Sequence, residues 1–409
     1  MTKLPFGKAF RQEFGLEPEY VPINHGSYGL YPNSIKELYY KYQDEAEKHP
    51  DRWNRFERHH LIRESRESLA QLIKCDTDDV VFVQNASQAS NTILRSFPFK
   101  EGDKILYYRT IYVTLDKTLD FLRDHYKVQP ICIDLHYPLE DSEVIELTKE
   151  KIKQEHAKEG EPKIRMAIID VLSSLPAARL PYEALTKVVQ EHGILAMLDG
   201  AHAVGQVELN MKELDPDFLF SNCHKWLYTP RGCAFLYVPK RNQGVVHPTT
   251  IAAPYQFHDD PADYSSFLSE FAPPTIDASP YICVKAAIEY RKSIGGEAAI
   301  NAYCHDIAVK GGELVAKKLG TSVMENSTKT LTANMVNIEL PHFKTSKSDS
   351  EVQAFFMKNS IYEHHTVFPV YKNNNKWWVR LCGQIYVDLD DFDYAADALT
   401  ALINEISED

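Results

Sequence analysis

No apolar run in this chain approaches the roughly 18 residues that a membrane-crossing helix needs, so no transmembrane segment is expected. The N-terminal stretch MTKLPFGKAFRQEFG has no apolar core followed by a small-residue cleavage site, and no secretory signal is read there. A basic surplus is missing too. The 45 Lys and Arg stand against 58 Asp and Glu, a formal net charge of −13, which argues against a nucleic-acid partner. The seven cysteines are scattered, with no CxxC pair and no metal-like spacing with His. An odd, dispersed set points to reduced thiols, no metal site and a cytoplasmic protein, with the nucleus left open. Internal repeats and low-complexity blocks are also absent.

What is present is an ordinary globular composition, 44% apolar and 25% charged over 409 residues, too long for one small domain. Apolar runs alternate with amphipathic stretches through the middle of the chain, the signature of an α/β fold with a mostly parallel sheet. Seven strands are expected, at Val80–Val83, Lys104–Tyr107, Val128–Ile133, Arg165–Asp170, Ile194–Asp199, Phe218–Ser221 and Cys233–Val238. Several are continuous apolar runs, as when helices cover both faces of a sheet. Helical patterns fall at Ser34–His49, Leu61–Ile73, Asn91–Phe97 and Tyr182–His192. After about Pro280 the pattern changes to a helix at Ile282–Lys292, strands at Asn334–Leu340 and Trp377–Leu381, and a final helix at Asp391–Ile406. This predicts a large domain over residues 1–275 and a smaller α+β domain over 276–409, joined near the Pro-rich segment Phe271–Pro280.

Three strand ends carry chemistry. The apolar run Phe218–Phe220 ends in Ser221-Asn222-Cys223-His224-Lys225-Trp226, which puts Lys225 at the mouth of the sheet, where such folds bind ligands. A lysine desolvated there has a lowered pKa and an amine nucleophilic toward an aldehyde. Taken alone, a His-Lys pair at a strand end is far more often on the surface. The run Ile194–Leu198 ends at Asp199-Gly200-Ala201-His202, 26 residues before the lysine. A carboxylate there suits a pyridine nitrogen, which it keeps protonated so that the ring acts as an electron sink, and His202 suits the ring's phenolic oxygen. A lone strand-end Asp is as often a turn or cap. Third, Asn85-Ala86-Ser87-Gln88-Ala89-Ser90-Asn91 follows a strand and opens a helix, whose free N–H groups favour a phosphate, although ordinary capping explains that motif by itself. An amine for an aldehyde, a carboxylate for a pyridine and a phosphate seat together point to pyridoxal 5'-phosphate (PLP).

With these runs, the chain resembles class V aminotransferase-type enzymes of PLP fold type I, in the branch of isopenicillin-N epimerase-like proteins and fungal hercynylcysteine sulfoxide lyases of ergothioneine synthesis. The matching runs are N-H-G-S-Y-G from Asn24, N-A-S-Q-A-S-N from Asn85, D-G-A-H-A-V-G-Q from Asp199, N-C-H-K-W-L from Asn222 and W-V-R-L-C-G-Q-I-Y from Trp378. The resemblance implies Lys225 as the Schiff-base lysine and α-proton base, Asp199 on the pyridine nitrogen and His202 on the phenolic oxygen. It places Ser87 and the backbone of Gln88 on the phosphate, assisted by Asn222 and His224, and Tyr112 stacked on the ring. Arg380 would grip the substrate carboxylate, with Asn24 and His25 lining the substrate pocket. It also implies a homodimer and a small amino-acid substrate.

Three departures stand out. Where the family has D-H-x-x-S, this chain has Asp170-Val171-Leu172-Ser173-Ser174. Its G-T-x-D run, thought to reach the phosphate across a dimer interface, is Pro274-Thr275-Ile276-Asp277, which leaves Thr275 as the candidate. Ser87-Gln88 replaces a commoner Thr-Glu pair. Elimination, epimerisation, transamination and desulfuration all begin with loss of the α-proton. Desulfuration needs a reactive cysteine on a mobile loop, and no Gly/Ser-rich loop with a cysteine appears in the C-terminal part. The resemblance favours C–S β-elimination on a cysteine-derived substrate, with epimerase and aminotransferase open. A non-catalytic scaffold is the rival from another class, but it has no need of Lys225, Asp199, His202 and Arg380 together.

Overall fold

The computed structural model describes residues 5–257 and 266–408; the first four residues of the stretch read for a leader lie outside them. The seven expected strands form one sheet: β1 Val80–Val83, β2 Lys104–Tyr108, β3 Gln129–Ile133, β4 Ile164–Asp170, β5 Leu195–Asp199, β6 Phe218–Asn222 and β7 Ala234–Tyr237, in the order β1-β7-β6-β5-β4-β2-β3. All pairings are parallel except those of β7, which runs antiparallel to both β1 and β6. The carboxyl ends of β1, β2, β4, β5 and β6 therefore share one edge.

The continuous apolar runs are explained by two cores, one on each face. Successive side chains in a strand point to opposite faces. Val80, Phe82, Leu106, Tyr108, Ala167 and Ile169 accordingly enter one core, with Leu69 and Leu185 from the covering helices. Val81, Val83, Ile105, Tyr107, Met166 and Ile168 enter the other, with Ile93 and Leu119. At roughly 25 cal/mol per Å² of apolar surface, burial on two sides stabilises this sheet far more than its few strand hydrogen bonds do.

The C-terminal part adds a three-stranded antiparallel sheet, β8 Met335–Glu339, β9 Val370–Asn373 and β10 Lys376–Cys382, in the order β8-β10-β9. Its core also takes in Phe10, Phe14 and Ile23 from the N-terminal segment. The helix Ser279–Ile294 lies against the helix Arg58–Ile73, where the Ser65 hydroxyl donates to the Ile282 carbonyl at 2.9 Å and Tyr281 stacks on Phe82. No helix among the described residues is long and apolar enough to cross a membrane.

Candidate active site

The shared edge opens into a cavity of about 200 Å³. Of the residues singled out from sequence, Ser87, Tyr112, Asp199, His202, Asn222, His224 and Lys225 line it. Each sits where an apolar strand stops or a helix starts. Asp199 closes β5, and its carboxylate is turned by the Ala201 N–H, which donates to Oδ1 at 2.9 Å. Asn222 closes β6 and accepts from the Ala86 N–H at 2.9 Å, tying the lysine strand to the helix Ala86–Ser96. First-turn N–H groups have no partner within a helix. Asn222 takes that of Ala86 and Asn85 takes that of Gln88, which leaves that of Ser87 for a ligand. Gln88 is thus spent on capping, its side chain accepting from the Gln84 N–H.

Lys225 sits in the one-turn helix Cys223–Trp226 immediately after β6. That turn is braced from behind. Gly29, at φ 66°, lies so close that a Cβ would overlap the His224 carbonyl, and at this φ a side chain adds backbone strain. Fully buried Arg291 donates to the carbonyls of Trp226 (2.7 Å) and Gly205 (2.9 Å) and pairs with Glu297. His25 Nε2 donates to the Lys225 carbonyl at 2.7 Å while Nδ1 accepts from the Tyr386 hydroxyl, so this histidine supports the lysine's backbone instead of lining the cavity.

The electrostatics follow from burial. Lys225 is pushed down from 10.5 to about 7, first by burial and next by the Arg380 charge, against the opposing pull of Asp199. His202 falls well below its ordinary value through burial and then the Lys225 charge, so its ring is neutral. Burial likewise lowers His224 to about 4; its Nδ1 donates to the Cys233 carbonyl, leaving Nε2 unprotonated. The carboxyls of Asp170 and Asp199 stand side by side in register at the ends of β4 and β5, and both are raised, chiefly by burial. The charge on Asp199 pushes Asp170 further, although Thr110 donates to Asp170 at 3.0 Å.

Arg380, on β10, is buried behind two residues that line the cavity, Ser27 and Ser174. It donates to the Ser174 carbonyl (3.1 Å), the Ser27 hydroxyl (2.8 Å) and Asn24 Oδ1 (2.7 Å). Its Nε is buried with no hydrogen-bond partner among the described residues. Asn24 therefore acts on Arg380 and does not face the cavity. Thr275 is apart from all of these, exposed beside Arg58, Pro273 and Pro274. Asp170, Tyr28, Ser174 and Trp226 lie in runs quoted from the sequence, where none of them was assigned a role at the site. The clue to Asp170 was present, since it ends an apolar strand just as Asp199 does.

Residues 33–361 match the model of the aminotransferase class-V family, and the chain belongs to that family. Among its relatives, an L-cysteine desulfhydrase-like protein of Epichloe uncinata, lolT2, is 31% identical over 99% of this chain and 95% of its own. The hercynylcysteine sulfoxide lyase of Schizosaccharomyces pombe is 30% identical over 96% of this chain and 97% of its own. Among solved structures, a variant of C-DES with glycine covalently linked to its PLP cofactor superposes with a TM-score of 0.78 over 95% of this chain and 98% of its own. At 16% identity that likeness speaks for the fold alone.

Proposed function

We propose that this chain is a PLP-dependent C–S β-lyase acting on a cysteine-derived amino acid. The observation that carries the reading is the convergence of a buried lysine amine, lowered to about 7, and a buried carboxylate on one cavity at the carboxyl ends of parallel strands. The residues fit the cofactor. Lys225 offers the amine for its aldehyde, Asp199 the carboxylate for its ring nitrogen, and Ser87 a hydroxyl and a free N–H for its phosphate. Tyr112, at the start of the helix Val113–Tyr126, is the stacking residue.

The cofactor supplies an electron sink for the charge left at the substrate's α-carbon. The chain's residues do the rest. Asp199 is costly to ionise in its buried site until a cation faces it, so it holds a proton on the pyridine nitrogen. His202 donates to the phenolic oxygen. Arg380 lies behind Ser27 and Ser174 with its fork donating to Asn24, Ser27 and Ser174, and its unpartnered Nε is the donor left to meet a substrate carboxylate. Lys225, about half of it neutral amine at pH 7, takes the α-proton in that form.

Elimination is preferred because relatives at 30–31% identity are named as a sulfoxide lyase and a desulfhydrase-like protein. A persulfide route is disfavoured, since none of the seven cysteines lines the cavity and five are buried. We propose a homodimer as well. Tyr28 at the cavity mouth is 74% exposed and Tyr112 is 47% exposed, surfaces a second copy would cover. Exposed Thr275 would then serve a neighbouring subunit's phosphate.

The test is incubation with PLP and a panel of cysteine conjugates and sulfoxides. Pyruvate release supports the lyase. Racemised substrate without pyruvate makes the chain an epimerase, and a keto acid that needs an amino-group acceptor makes it a transaminase. A protein that stays colourless with added PLP is a scaffold.

A further inference from the structure

Trp226 is fully buried next to the lysine, yet its indole N–H donates to no carbonyl among the described residues; it donates to His202 Nδ1 at 3.3 Å. The other ring nitrogen, Nε2, lies 3.1 Å from Lys225 Nζ. Three groups in a row constrain where protons sit. An indole nitrogen is only a donor, so His202 Nδ1 must accept. A neutral imidazole accepting at Nδ1 carries its proton on Nε2. That N–H points at Lys225, whose nitrogen accepts it only as a neutral amine with a free electron pair.

We infer that Trp226 is a positioning residue that locks the His202 tautomer and through it selects the neutral form of Lys225. The inference rests on Lys225 being the amine that takes the cofactor, and it adds how that amine is kept reactive. The alternative arrangement, Nδ1 protonated and Nε2 accepting, would set two donors head to head at the indole while offering an ammonium an acceptor. A doubly protonated ring is disfavoured first by burial and then by the basic groups around it. Lys225, Arg380, His25 and His224 all face His202, and each lowers its affinity for a second proton. Around Lys225 stand Arg380, which opposes its charge, and Asp199 and Cys382, which favour it. The His202 tautomer therefore tips a near-balanced site. The same tautomer presents a donor to a phenolic oxygen, so one indole serves both the empty and the loaded protein.

The wild-type apoprotein gives the first readout. Long-range ¹H–¹⁵N correlation on ¹⁵N-histidine protein, with the His202 signal identified by its loss in His202→Gln, should show Nε2 protonated and Nδ1 bare. A ring protonated on Nδ1, or a mixture of tautomers, overturns the inference with Trp226 left unaltered. The second readout is the pH midpoint of PLP uptake. Trp226→Phe keeps the ring and removes the donor, so His202 becomes free to accept from an ammonium. The midpoint should move up by roughly one pH unit, slowing uptake at pH 6 about tenfold. Slower uptake with an unmoved midpoint assigns Trp226 a packing role only and overturns the inference. Failure of the wild type to take PLP on Lys225 overturns the functional reading instead, while the tautomer measurement still decides the inference.

Discussion

Uptake of PLP by the apoprotein across pH reads out the lysine's environment. The lysine is held at about 7, so half the molecules present a neutral amine at pH 7, about a tenth at pH 6 and about nine tenths at pH 8. An ordinary lysine near 10.4 would be neutral in about one molecule in 2,500 at pH 7, so burial together with the Arg380 charge raises the reactive fraction on the order of a thousandfold. The initial rate of gain in visible absorbance should rise about tenfold between pH 6 and 8 and then level off. Two variants move the midpoint in opposite directions. Arg380→Met removes the charge that, after burial, does most to depress the amine, and should shift the midpoint upward. Asp199→Asn removes a charge that favours the ammonium and should shift it downward. A rate that climbs log-linearly through pH 9, or a midpoint indifferent to both variants, refutes the reasoning.

The Asp170–Asp199 pair makes a stability prediction. A buried carboxyl raised in the folded protein stabilises it below the unfolded value near 4 and loses that contribution as pH rises through the folded value. Asp170→Asn should therefore raise the melting temperature of the apoprotein relative to wild type at alkaline pH and change it little at pH 4; the reverse pattern would mean Asp170 is not the strained partner. Arg380→Lys removes the fork held by Asn24, Ser27 and Ser174, and KM for the substrate should rise about ten- to hundredfold with PLP binding preserved. In Gly29→Ala the new Cβ collides with the His224 carbonyl at a left-handed φ, so unfolding titrations should show a loss of at least about 2 kcal/mol.

The sheet and the three groups at its mouth are legible in the sequence because parallel strands buried on both faces read as apolar runs that stop abruptly. Asp199, Asn222 and Lys225 stand where those runs stop. What stays hidden depends on pairing between distant segments. That Asp170 adjoins Asp199 is a consequence of β4 lying beside β5, which no local pattern encodes. Arg380 meets Asn24 across 356 positions, and His25 meets Tyr386 across 361, because the N-terminal segment packs into the C-terminal core. The helix Gly296–Leu319 escapes pattern reading for a different reason. Its Gly311 and Gly312 sit against Phe392 and Val336, so close packing occupies positions where an apolar side chain would have marked the buried face. Strand β9 is short, but the turn after it, with Asn374 and Asn375 at positive φ, carries a hairpin signal open to sequence reading.

The covalent role of Lys225 is tested most directly by borohydride reduction of the PLP-loaded protein followed by peptide mass mapping. One reduced pyridoxyl group should appear, on the peptide carrying Lys225, and Lys225→Ala should acquire neither the modification nor the visible band. A label on a different lysine, or an unchanged spectrum in Lys225→Ala, would contradict it.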